Sequence, residues 1–177
     1  RQTEMKIKTL EIKNFRLLKH VFLSLEDQTT VIVGRNNSGK TSLTEIFRRL
    51  IGDKNPSFSI YDFSICAMDG FKKALHAKLE GKEDDEIRAE IPSIEIRITI
   101  EYPLDIIDLG ILGDFVIDLD AASNIVIIAV KYSLKSGKID SLFDGVSDES
   151  DESINTFMKS LKEKIPSLFE THITAVD

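Results

Sequence analysis

The chain is 177 residues long, 42% hydrophobic and 30% charged, with one cysteine and a formal net charge of −7. That is enough sequence for one buried core, and the composition excludes a largely disordered chain, a fibrous one and a disulfide scaffold. The longest purely apolar run, Ile125 to Val130, is far short of the about 20 residues a membrane span needs; with no secretory leader either, the cytoplasm is the expected compartment.

Arg1 to Glu4 read as a remnant ahead of a start at Met5 and are left out of the fold. Met5 to Phe15 reads as a strand, with Ile7, Leu10 and Ile12 set among Lys6, Lys8, Glu11 and Lys13. Its alternation slips between Ile7 and Leu10, which points to a bulge. Val21 to Leu25 alternates cleanly and is the expected hairpin partner, with Glu26-Asp27-Gln28 as the turn that follows. Thr29 to Val33, a β-branched run, reads as a buried central strand.

A helix is expected over Lys40 to Ile51. Leu43, Ile46, Phe47, Leu50 and Ile51 form the apolar stripe of a helix laid on a sheet. Arg48 and Arg49 suit its C-terminal dipole, and Gly52 ends it. Asp53 to Asp62 reads as loop and Met68 to Leu79 as a second helix. Gly81 and the acidic run Glu83-Asp84-Asp85-Glu86 follow as a turn.

Ile94 to Ile100 alternates strictly, isoleucine against Glu95, Arg97 and Thr99, and is the clearest strand signal. Pro103 to Leu112 is open between a short helix and irregular chain. Phe115 to Leu119 and Ile125 to Leu134 read as strands with a turn at Ala121–Asn124, and Ser136-Gly137-Lys138 as another turn. Ser147 to Glu152 reads as solvated. Ile154 to Ile165 reads as a helix that stops at Pro166.

Charge is uneven along the chain. Residues 1–50 carry ten Lys/Arg against five Asp/Glu, whereas residues 51–177 carry thirteen against twenty-five. A basic coat for nucleic acid is absent, and the positive charge gathers around one motif.

That motif is Gly34-Arg35-Asn36-Asn37-Ser38-Gly39-Lys40-Thr41, which meets G-x-x-x-x-G-K-[ST], the Walker A pattern, at every fixed position. A β-branched run precedes it and an amphipathic helix follows, as a phosphate-binding loop requires. Gly34 and Gly39 permit backbone angles that turn loop N–H groups onto phosphate oxygens. The helix beginning at Lys40 aims its unpaired N–H groups and positive dipole end at the same anion. Lys40 is assigned the β- and γ-phosphates and the catalytic role, and Thr41 the Mg²⁺ that bridges them. Ser42 is placed for the α-phosphate. ATP and Mg²⁺ are therefore the expected cofactors.

Asn14-Phe15-Arg16 at a strand end, a hairpin strand, and then GRNNSGKTS within the first 42 residues resemble the N-terminal ATPase region of SMC and RecF proteins. The Asn-Asn-Ser-Gly-Lys-Thr-Ser variant is most similar to the overcoming-lysogenization-defect (OLD) family of ATPase-nucleases. The resemblance is specific over residues 5–52; beyond Gly52 only the order of elements agrees. It implies an α/β fold: the N-terminal part of a P-loop, ABC-type ATPase head over residues 5–177, with a mixed sheet, an antiparallel strand region and flanking helices. It implies that Gly34 to Thr41 are the family's phosphate loop, and that Arg16 approaches the phosphates or a partner subunit. A solvated strand end is the competing reading of Arg16, as core packing is of Phe15.

The resemblance also implies pieces that are missing here. No strand ends in Asp-Glu for a Walker B site, and neither a signature motif nor a switch histidine can be assigned. Asp118 and Asp120 more readily face solvent than Mg²⁺. The glutamine such heads place after the insertion is absent, since the glutamines are Gln2 and Gln28, and Asp62 is the candidate substitute. His20, His76 and His172 lack metal spacing, and Cys66 reads as a buried small hydrophobe. The chain therefore reads as an N-terminal fragment that binds ATP weakly and turns it over negligibly alone. The implied function is the ATP-binding part of an OLD-like ATPase that gates a DNA nuclease in DNA processing or phage defence. The implied full-length protein pairs with itself through its heads and meets DNA through the missing part or a partner nuclease. The alternative is a stand-alone ATP-sensing regulator of a separate effector chain. A small phosphotransferase is disfavoured, because Gly81–Arg88 makes a poor lid.

Overall fold

The computed structural model describes residues 6–26, 30–33, 35, 39–103 and 124–176. The expectations for Arg1–Met5, Asp27, Gln28, Thr29, Gly34, Asn36, Asn37, Ser38, residues 104–123 with Asp118 and Asp120, and the Ile51 side chain lie outside the described residues.

Strands β1 (Lys6–Phe15), β2 (Leu18–Ser24), β3 (Ile94–Glu101), β4 (Ile125–Leu134) and β5 (Phe169–Val176) form one antiparallel sheet in the order β2-β1-β3-β4-β5. Alternation decides which face is buried. Ile12 stands opposite Ile96 and Ile96 opposite Val130, while Leu10 faces Ile98 and Ile98 faces Ile128, so the buried apolar residues stack in rows across three strands. The other face carries paired polar groups: Glu11 opposite Arg97, Lys13 opposite Glu95, Glu95 opposite Lys131. The Thr9 hydroxyl donates to that of Thr99 at 2.7 Å. Pairing of β1 with β3 shifts register between Ile7 and Thr9, the bulge that the broken alternation anticipates.

The helices are α1 (Lys40–Gly52), α2 (Ile65–Leu79), α3 (Asp84–Glu90), α4 (Ile139–Leu142) and α5 (Asp151–Leu168). Leu43 and Ile46 of α1 join the core with Ala67, Phe71, Ala74 and Leu75 of α2, and with Phe157, Leu161 and Ile165 of α5. An aromatic chain runs through the interior: Phe15 packs edge-on to Phe58, and Phe58 meets Tyr132 at 5.3 Å. Phe63 packs edge-on to both Phe71 and Phe169. No described helix is long and apolar enough to cross a membrane.

The structure corrects four sequence expectations and adds one strand. Thr30 to Val33 form no strand, and Val31 and Val33 are 76% and 83% exposed. β-propensity becomes a strand only beside a hydrogen-bonding neighbour, and no described strand pairs with this run. The acidic run expected to be a turn opens α3, because Asp84, Asp85 and Glu86 in a first turn face the positive end of the helix dipole. Pro166 does not stop α5, which continues to Leu168. Only one helical bond is lost so near the end, and the buried Ile165 and Phe169 hold both sides of the proline to the core. Phe169–Val176, to which no element was assigned above, is a full strand, anchored by Phe169 among Phe63, Phe71 and Tyr132. Cys66 is exposed, because the buried stripe of α2 runs through Ala67, Phe71, Ala74 and Leu75 and passes it by.

Gly70 on α2 is a packing requirement. A Cβ there would lie 2.7 Å from Pro92 Cγ and 3.1 Å from the Glu90 carbonyl oxygen. Alanine should gain about 1 kcal/mol in helix propensity, yet the clash should outweigh it. Gly70→Ala is therefore expected to destabilise the protein by about 1–2 kcal/mol net, read as a lowered urea midpoint; an unchanged or raised midpoint would show that α3 moves aside freely.

Candidate functional site

The site is assembled at the N-terminus of α1. Gly39 is the N-cap residue and takes the left-handed conformation, φ 91°, which a side chain disfavours. The space is closed as well: a Cβ on Gly39 would lie 2.8 Å from Leu18 Cδ2. The Leu18 side chain, at the start of β2, thus lies beside the point where the loop becomes helix.

The first turn of α1 holds no acidic residue, and its N-cap, being glycine, has no side chain to cap it. By contrast, α5 is capped by Ser150 and opens with Asp151 and Glu152. Unpaired N–H groups at a helix start need a partner, and the dipole favours an anionic one. A glycine cap, no acidic competitor and Lys40 as first helical residue suit a phosphate. Lys40 is half-buried, Thr41 exposed, and Ser42 buried on the side shared with Leu43 and Ile46. Arg35 is exposed in irregular chain. Gly34, Asn36, Asn37 and Ser38 lie outside the described residues.

Arg16 follows β1 with φ 50°, and its half-buried guanidinium binds Asp62, with Nη2 to Oδ1 at 3.0 Å and Nε to Oδ1 at 3.1 Å. Asp62, proposed above for the place of a glutamine, is 3% exposed and also binds Arg49 of α1, Nη1 to Oδ2 at 2.8 Å and Nη2 to Oδ1 at 3.1 Å. Burial pushes this carboxyl up, but the bonds from Arg49, the Ser59 N–H and Arg16 outweigh it and hold it below the ordinary aspartate range. Arg49 bonds Glu45 through Nε at 2.7 Å, and bonds from Arg48 and Arg49 draw Glu45 down to about 2.

Arg49 and Phe58 are the members of this cluster that sequence reasoning missed. Arg49 reads locally as a dipole-satisfying cation at a helix end, a role any exposed arginine could fill. The available signal was Asp62 itself. A carboxylate embedded in Phe58-Ser59-Ile60-Tyr61-Asp62-Phe63 is bound for the interior, and a buried carboxylate needs a cation.

The histidines pair with carboxylates: His20 with Glu11 at 2.7 Å, His172 with Glu170 at 2.9 Å, and His76 with Glu149 and Glu80. Among the described residues no cluster of His, Cys, Asp or Glu is arranged to hold a metal ion.

A stretch of 76 residues is 45% identical to the DNA double-strand break repair Rad50 ATPase of Methanosarcina mazei, covering 42% of this chain and 7% of that protein. The chain thus spans a small part of the length of the curated relative it matches. The family model described as the AAA ATPase domain matches residues 5–177, and on that match over nearly its whole length the chain belongs to the AAA ATPase domain family.

Proposed function

We propose that this chain is the ATP- and Mg²⁺-binding part of an OLD-like ATPase that gates a DNA nuclease in DNA processing or phage defence. The observation that carries the reading is the sequence motif Gly34–Ser42 together with the left-handed Gly39 that opens α1, whose first turn holds no acidic residue. Lys40 would hold the β- and γ-phosphates and Thr41 the Mg²⁺, with the N–H groups of the loop and first turn completing the cradle. Bound Mg²⁺ would neutralise the phosphate charge. Membership of an ATPase domain family and partial similarity to a DNA-repair ATPase support the nucleotide and DNA elements of the reading. The Asn-Asn-Ser-Gly-Lys-Thr-Ser loop supports its OLD element.

Gating needs differential affinity: ATP must bind the paired heads more tightly than the open ones. In this reading the full-length protein is cytoplasmic, pairs through its heads, and meets DNA outside this chain or through a partner nuclease. The acidic balance of residues 51–177 agrees with DNA being held elsewhere.

The test uses the full-length protein on DNA substrates, with Mg²⁺ throughout and with or without ATP. DNA cleavage that responds to ATP and loses that response in Lys40→Ala is the expected result. ATP binding without cleavage would overturn the nuclease element and leave an ATP-sensing regulator of a separate effector. Absence of Lys40-dependent ATP binding would overturn the whole reading.

A further inference from the structure

Helix α1 is held to the turn between β1 and β2 at both of its ends. At the N-terminal end Gly39 lies against Leu18. Ten residues further along, Arg49 is bound by Asp62, and Asp62 binds the same turn twice. Its carboxylate accepts from the Arg16 guanidinium, and its main-chain carbonyl accepts from the Arg16 N–H at 2.8 Å. The contacts close into a ring: Gly39, Leu18, Arg16, Asp62, Arg49 and back along the helix.

The ring is rigid for reasons visible in each member. Asp62 Oδ2 also accepts from the Ser59 N–H at 2.9 Å, which fixes the carboxylate from its own turn. Arg49 lies over the rings of Phe15 and Phe58, and Arg16 over Phe15, so both guanidinium planes are held by packing as well as by charge. The β1–β2 turn carries two non-glycine residues in left-handed conformation, Asn14 at φ 62° and Arg16 at φ 50°. Such conformations persist where surroundings impose them. Here Asn14 Nδ2 donates to the Ser93 carbonyl at 3.0 Å, and the Asn14 carbonyl accepts from the Ser64 N–H at 3.0 Å.

A buried ion pair is weak evidence for stability, since apolar residues of similar size often serve as well. What a doubly held carboxylate supplies is direction. A helix held at one end can pivot; held at both, its first-turn N–H groups point one way. We propose that Asp62 is a positioning residue for the phosphate site: by clamping Arg49 and Arg16 together it sets the direction in which Gly39–Ser42 face a bound phosphate. The proposal rests on the reading of Gly39–Ser42 as a phosphate site.

The test measures Mg-ATP affinity with a fluorescent ATP analogue for the wild-type chain, Asp62→Asn and Phe157→Leu. The last lies on α5 and serves as a control for lost stability alone. Asp62→Asn is expected to raise Kd by about tenfold or more, because misdirected donors lose the benefit of being pre-oriented. Phe157→Leu should leave Kd within about twofold, because it lowers the melting temperature without touching the ring. In the ligand-free protein, amide exchange at Leu43, whose N–H donates to the Gly39 carbonyl at 2.9 Å, should quicken in Asp62→Asn while that of α5 does not. Should Asp62→Asn fail to fold, Arg49→Lys keeps the charge but loses the two-pronged grip, and a several-fold rise in Kd is expected. Unchanged Kd in the folded Asp62 or Arg49 variant, or an equal rise in Phe157→Leu, would overturn the positioning role. Loss of Lys40-dependent binding in the wild-type chain would instead mark failure of the phosphate reading itself.

Discussion

Replacing Lys40 with alanine is expected to weaken Mg-ATP binding by about 30- to 4,000-fold, the equivalent of the 2–5 kcal/mol lost when one partner of a desolvated charge pair is truncated. The fold should survive. Lys40 is the first residue of α1 and lies outside the buried stripe of Leu43 and Ile46, and alanine has the highest helix propensity. The remaining N–H groups of the first turn would still attract an anion, so residual weak binding is consistent with the assignment. Titration with a fluorescent ATP analogue, paired with thermal melts of both proteins, separates the two effects. Wild-type affinity in the variant would sink the phosphate-loop assignment; a large fall in melting temperature would show that Lys40 holds structure as well.

Phe15→Ala should be among the most damaging single substitutions, costing about 3–5 kcal/mol from a total that for a domain is typically about 5–15 kcal/mol. Phe15 is fully buried, which favours the core reading of this residue over a direct nucleotide contact. Its ring meets Phe58 edge-on at 5.9 Å and carries the Arg16 and Arg49 guanidinium groups at 5.2 and 5.7 Å. Truncation therefore opens a cavity and also strips the support from the two arginines that share Asp62. Urea unfolding followed by circular dichroism should show a markedly lower midpoint with a similar slope. A loss below about 1 kcal/mol would mean the neighbouring aromatics collapse into the space.

These two residues lie on opposite sides of what local sequence can specify. The β1–β2 hairpin, the bulge of β1 against β3, α1, β3 and β4 were legible because each writes its environment into a short period: two residues for a half-buried strand, near four for an amphipathic helix. The proposed phosphate loop could be read from the sequence because its motif is confined to consecutive residues ending at Thr41. Thr30–Val33 misled for the same reason, since residue type records a preference for strand but not the presence of a neighbouring strand. Pro166 misled because core packing of Ile165 and Phe169 outweighs one lost helical bond.

Local residue pattern was enough to specify the paired strands, the helix that follows the loop and the run of residues suited to a nucleotide. It took the packed chain to bring Arg49 to Asp62 from 13 residues away and Arg16 from 46, and to add Phe169–Val176 to the edge of the sheet. Periodicity carries information over one or two turns of chain. A buried carboxylate shared by two arginines depends on three elements meeting in space, and that meeting is settled by the packing of the whole core.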